Sequence, residues 1–182
     1  NLNYEKDFRK NIKKIAYHLD FPVCSFSSYP LWKLADKANK KNVKVILSGE
    51  GADEIFTGYA RYMPIYMQWK LNKRYPSYEY LFGKLFNSYK DSYARLTNRS
   101  AGNLEMIKKI MKQYFEMFDN PVTAMCYFDF KVIMPSLLQM GDRMSAAFGV
   151  ENRCPFLDKD IIEFGFNLDV EQKINFNQQK LV

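Results

Sequence analysis

Cysteine and histidine are scarce in this chain, and their scarcity excludes whole classes of chemistry. The three cysteines, Cys24, Cys126 and Cys154, are odd in number and show no C-x-x-C spacing. With a single histidine, His18, they cannot make an ordinary zinc set. They read as reduced core residues of a cytosolic protein. His18 falls near the end of an expected helix, where an imidazole suits the negative end of the dipole; a general base is the alternative. No apolar run reaches the roughly 18 residues of a membrane span, and neither a signal peptide nor a repeat is visible. Glycine is sparse too, with eight in 182 residues. Two glycines within three positions therefore stand out.

What is present fits a globular chain of one domain. Hydrophobic residues make up 47% and charged residues 26%, as in ordinary soluble proteins. The net charge of +7 could point to nucleic acid. The lysines are scattered over expected helix faces (Lys10, Lys13, Lys14, then Lys108, Lys109, Lys112), so solvated faces or an anionic small substrate account for the bias better.

The two close glycines lie in VKVILSGEGADEIFTGY, residues 43–59. The aliphatic run 43–47 ends abruptly at Ser-Gly-Glu-Gly, and Asp53-Glu54-Ile55-Phe56 reads as the start of a helix. A short apolar run bounded by turn residues is the pattern of a buried strand, parallel and covered on both faces. Gly49 and Gly51 let the backbone turn sharply and approach a ligand. The helix N-terminus beyond would favour an anion. Three acids, Glu50, Asp53 and Glu54, crowd the same loop. Asp53 and Glu54 could simply cap the helix, but neither capping nor packing calls for Glu50 between two glycines. A proton-accepting carboxylate, or a metal ion between acids and anion, would.

Around this loop the periodicity predicts helices. One spans residues 4–19 on Phe8, Ile12, Ile15 and Leu19. A loop with Ser25, Ser27 and Ser28 leads into a second, with Pro30 in its first turn and Leu31, Leu34, Ala35 and Ala38 on its apolar face. Residues 60–118 are helical and aromatic-rich, with a loop at 98–103; the aromatics read as core rather than as a nucleic-acid stacking platform. Pro121 starts another helix and Pro135 breaks it and starts the next. Gly149 reads as a C′ residue, 150–154 as extended before Pro155, and Asp158 as the cap of a last helix. Asp142, Arg143, Glu151, Arg153 and Asp158 sit in mostly apolar sequence. They form either a structural ion network or, for Asp142 and Arg143 above all, part of a site.

Two stretches carry a resemblance. SGEGADEIFTGY, residues 48–59, is similar to the S-G-E-G-(A/S)-D-E-(L/I/V)-F-x-G-Y segment of the asparagine synthetase family. DRMSAAFGVENRCPFLD, residues 142–158, resembles that family's D-R-M-S-M-A-x-x-x-E-x-R-x-P-F-L-D. The resemblance implies an α/β fold, a parallel-sheet domain of the nucleotide alpha-hydrolase type, here predominantly helical with one or few strands. It implies one partial synthetase domain over residues 1–182, with a nucleotide-binding β/α part to about residue 60 and a helical part beyond. It further implies a ligase that uses ATP and Mg²⁺ to turn a carboxylate, aspartate in asparagine synthetases, into an acyl-adenylate and pyrophosphate. Glutamine-derived ammonia then yields the amide. Matched residue by residue, Glu50 would be the proton acceptor. Leu47, Ser48, Gly49 and Gly51 would contact the nucleotide. Asp53 would face Mg²⁺ and pyrophosphate, with Glu54 beside it supporting the loop. Ser25, Ser27 and Ser28 would line a substrate loop, or serve as caps. Thr57 departs from the family, which usually has glycine there.

The resemblance also implies a cytoplasmic enzyme with small-molecule substrates, no membrane or nucleic-acid partner, and a homodimer as an open option. The family's S-G-G-x-D-S loop and its glutaminase domain are expected upstream of Asn1, and its late basic segment beyond Val182. A fragment inactive by itself is therefore expected. Two rivals stand: an amidotransferase for a sugar or peptide carboxylate, and a non-catalytic helical interaction module.

Overall fold

The computed structural model describes residues 4–21, 27–72, 76–77, 80 and 101–180. They form a mostly helical α/β structure with one small parallel sheet. The chain divides into two units, residues 1–49 with 135–155, and residues 50–134 with 156–182.

The first unit contains α1 (Tyr4–Leu19), α2 (Ser28–Lys40), β1 (Val45–Leu47), most of α7 (Met134–Ala146) and β2 (Glu151–Arg153). Its core is Ile15 and Leu19 of α1, Tyr29 and Trp32 of α2, and Met140 and Met144 of α7. Helix α1 buries Ile15 and Leu19 of its expected stripe and partly buries Phe8, while Ile12 is exposed. On α2 the buried stripe is Tyr29, Trp32 and Ala35, while Leu34 is exposed. The aromatics take the place expected for Leu34, because Tyr29 meets Phe8 edge-on at 5.5 Å and Trp32 meets Phe148 at 4.5 Å, while Leu31 packs at the edge of the same core. His18 does lie in the last turn of α1, against Tyr17 and Trp32.

Strands β1 and β2 pair in parallel, Val45 with Glu151, Ile46 with Asn152 and Leu47 with Arg153. Parallel pairing is as expected. Burial on both faces is not: Val45 is 37% and Leu47 72% exposed. The strand is three residues long and, among the described residues, has only β2 beside it. An apolar side chain is buried only where a neighbouring element covers it, whatever its own hydrophobicity.

The second unit contains α3 (Ala52–Ile55), α4 (Tyr62–Asn72), α5 (Ala101–Phe115), α6 (Pro121–Phe128), a π-helical turn (Asp129–Ile133), a 3₁₀ turn (Pro155–Leu157), α8 (Lys159–Asn167) and α9 (Val170–Lys173). Tyr62, Ile65, Tyr66, Met111, Phe115, Val122, Met125, Phe128 and Ile174 build its core. The aromatics of residues 60–118 that are described are thus largely core, while residues 73–75, 78–79 and 81–100 fall outside the described set. Residues 101–103, expected as loop, already belong to α5. Asn120 caps α6 by accepting from the N–H groups of Val122 and Thr123 at 2.9 and 3.3 Å, with Pro121 next to it. The break expected at Pro135 takes the form of the π turn just upstream. Proline supplies no N–H and crowds the carbonyl four residues back, and a widened turn accommodates both. Asp158 caps α8 through the Asp160 N–H at 2.9 Å, and Gly149 takes a left-handed φ of 63°, both as expected.

Candidate functional site

Ser48 leaves β1 with its N–H donated to the Arg153 carbonyl at 2.9 Å and its hydroxyl 3.2 Å from the Cys154 sulfur. Leu47 and Gly49, its neighbours, are exposed. These three belong to the first unit, and Glu50 opens the second. Of the two glycines, Gly51 is the one the backbone requires. Its φ is 93°, and a Cβ there would run into Leu157. The helix that follows, α3, is one turn long, so the strong dipole expected at its N-terminus is not available.

Glu50 is half-buried. Loss of water, then the negative charges of Glu54 and Asp53, push its carboxyl above the usual carboxylate range. A carboxylate so placed holds a proton more firmly, as a base must. Asp53 is partly exposed and forms an ion pair with Lys180. Lys180 carries a left-handed φ of 52°. Gly58 makes that pair possible sterically, since a Cβ at Gly58 would overlap both the Asp53 carboxylate and the Lys180 side chain. Both are the ends of partly exposed side chains, so Gly58→Ala is expected to displace the pair and to lower unfolding stability by up to about 1 kcal/mol, the scale of an exposed ion pair. A denaturant midpoint equal to that of the unaltered chain would show that the pair does not rest on Gly58.

Glu54 turns inward. It is 1% exposed and accepts the Tyr59 hydroxyl at 2.6 Å. Behind it stands a buried set the sequence reading missed. Arg61 donates to Asp129 at 2.7 Å, the Tyr62 hydroxyl donates to the same carboxylate at 2.6 Å, and Asp129 is fully buried. Burial raises the Asp129 carboxyl to about 6 against the opposing pull of Arg61. Lys173, fully buried, donates to the Gly165 carbonyl at 2.9 Å, and burial lowers its ammonium below the usual range. Thr57, at the position where the resembling family usually has glycine, is buried with a left-handed φ of 59° and donates to the Lys173 carbonyl at 3.1 Å.

Comparison with known proteins decides the family: the asparagine synthase family model matches residues 3–182. The chain belongs to the asparagine synthase family. It is 27% identical over 94% of its length to the putative asparagine synthetase (glutamine-hydrolyzing) 1 of Methanocaldococcus jannaschii, and covers 23% of that protein. To asparagine synthetase (glutamine-hydrolyzing) 1 of Bacillus subtilis it is 28% identical over 92% of its length, covering 31% of the relative. Identity reaches 46% over 56 residues with the putative asparagine synthetase (glutamine-hydrolyzing) of Mycobacterium tuberculosis. The chain thus spans between about a fifth and a third of the length of the first of these curated relatives. No solved structure matches significantly.

In this asparagine synthase family chain the other candidates fall as follows. Glu151 and Arg153 pair with each other at 2.8 Å on one exposed edge of β2. Asp142 and Arg143 are exposed at the end of α7 and make no ion pair among the described residues, and Asp158 serves as a cap. The five charges therefore do not join in one network. Ser27 stands at the N-cap of α2 without making the cap bond, Ser28 is buried, and Ser25 lies outside the described residues. Among the described residues no three His, Cys, Asp or Glu side chains gather as a metal site, and no helix is long and apolar enough to cross a membrane. Lys180 gives no local signal, being one lysine among many. Asp129 gives one: a lone acid inside the apolar run CYFDFKVIM has to be paired if that run is buried.

Proposed function

We propose that this chain is part of an ATP-dependent amide-forming ligase that activates a carboxylate, aspartate in the first instance, and aminates it with glutamine-derived ammonia. The observation that carries the reading is Glu50: a half-buried carboxylate between two glycines, its proton affinity raised by burial and then by Glu54 and Asp53. In this reading β1, in the nucleotide-binding part up to about residue 60, and β2, in the helical part beyond, belong to one α/β sheet of the nucleotide alpha-hydrolase type within one partial synthetase domain.

An oxygen of the acceptor carboxylate attacks the α-phosphorus of ATP. A new O–P bond forms as the bond to the β-phosphate oxygen breaks, and pyrophosphate leaves with that electron pair. The backbone around Leu47, Ser48, Gly49 and Gly51 holds the nucleotide. Ammonia then attacks the acyl carbon. Glu50 accepts the proton released from nitrogen, and the C–O bond breaks to free AMP. Lys180 balances charge on the departing pyrophosphate. Magnesium fits Asp53 as a hard oxygen ligand of a kind the ion takes one or two of, with substrate phosphates supplying the rest. When bound it would neutralise phosphate charge.

The reading is tested on the full-length protein with ATP, aspartate and ammonium or glutamine. AMP and pyrophosphate are expected in equal amounts with the amide, and only when the carboxylate is supplied. ADP and inorganic phosphate, or release independent of the carboxylate, would refute it.

A further inference from the structure

We infer that Tyr59 is a positioning residue for amide formation: its hydroxyl ties the buried Glu54 to a pinned aromatic ring and so fixes α3, the turn that carries Asp53 and stands beside Glu50. The inference rests on the proposed ligase reading and deepens it.

Helix α3 cannot hold itself. It is four residues long, with Ile55 donating to Gly51 at 3.0 Å and Phe56 to Ala52 at 2.9 Å, and an isolated turn of this kind is unstable. Its orientation must come from tertiary ties. The Glu54 carboxylate is one, since a buried carboxylate is tolerated only with a partner, and Tyr59 is the partner the structure gives it. Tyr59 is itself pinned from several sides. The Arg61 guanidinium lies 4.0 Å from its ring centroid, the Tyr62 ring meets it at 5.7 Å, and Gln179 donates to its carbonyl at 2.8 Å. Arg61 and Tyr62 are in turn anchored on Asp129, the first residue of the π turn, which packs against α3. The hydroxyl of Tyr59 thus joins the carboxylate of the acid-bearing turn to a buried frame, beside the packing of Ile55.

Without the hydroxyl, the buried Glu54 carboxylate loses its Tyr59 partner, and α3 is free to shift and to carry Asp53 and the flank of Glu50 with it.

The experiment uses Tyr59→Phe in the full-length protein, which keeps the ring and its stacking on Arg61. Expected are a fall in kcat of about 10–100-fold, the scale of a small misplacement of reacting groups, and a KM for ATP within about twofold of the unaltered value, as for loss of transition-state interactions alone. An unchanged kcat would overturn the inference. Should Tyr59→Phe fail to fold, Glu54→Met decides: it cuts the same tie from the other side with an apolar side chain of similar length. A fall in kcat on that scale with the KM for ATP held supports the inference, and an unchanged kcat overturns it. If the unaltered protein forms neither amide nor AMP and pyrophosphate, the ligase reading fails and this inference falls with it. A loss confined to thermal stability also overturns it, because that is what a purely structural tyrosine would give.

Discussion

Glu50→Gln is expected to reduce amide formation by about 10²–10⁴-fold, the usual contribution of a positioned general base, with the thermal midpoint nearly unchanged. Glutamine has the same shape and can occupy the same half-buried position, but it cannot accept the proton that ammonia must lose. The pH profile sharpens the test. Burial and the charges of Glu54 and Asp53 raise the Glu50 carboxyl, so the rate should decline on the acid side at a pH above the ordinary carboxylate range. That limb should be missing from whatever residual rate the variant retains. Replacing the charge also removes a like-charge repulsion among three acids, so a small gain in stability is expected. Full activity in the variant would remove Glu50 from the chemistry.

Asp129→Ala is expected to be the most destabilising single substitution in the second unit. The variant takes the Asp129 carboxylate away from the Arg61 guanidinium, whose side chain is 9% exposed, and from the Tyr62 hydroxyl. Removing one partner of a buried ion pair costs about 3–5 kcal/mol. For a chain of this length that corresponds to a fall in thermal midpoint of roughly 10 °C. A double substitution with Arg61→Leu should recover part of the loss, because the buried positive charge is then gone as well. Equal stability of Asp129→Ala and the unaltered chain would mean that the pair is not held as described.

These two residues differ in how far the sequence announced them. Glu50 was legible because an acid between two glycines after an aliphatic run has no structural reason to be there. The run itself, the extended stretch at 151–153, and the roles of Gly149 and Asp158 were legible for the same kind of reason: each follows from local backbone preference. What was not legible depends on distant neighbours. The exposure of Val45 and Leu47 reflects which elements stand beside β1, and the rotated stripe of α2 reflects aromatic partners on α1 and near the end of α7. Lys180 meets Asp53 only through the fold of the second unit, and in sequence it is one basic residue among 27. Asp129 lies between, since its apolar flanks announce burial but not that Arg61 is the partner.

The central claim, that the acceptor carboxylate becomes an adenylate at the loop bearing Glu50, is tested most directly by oxygen tracing. With the full-length protein, ATP, ammonium and aspartate labelled with oxygen-18 in its side-chain carboxylate, one labelled oxygen per turnover should appear in the phosphate of AMP. The oxygen that attacked phosphorus leaves with the nucleotide when nitrogen takes its place. Amide formed without label in AMP would contradict the account.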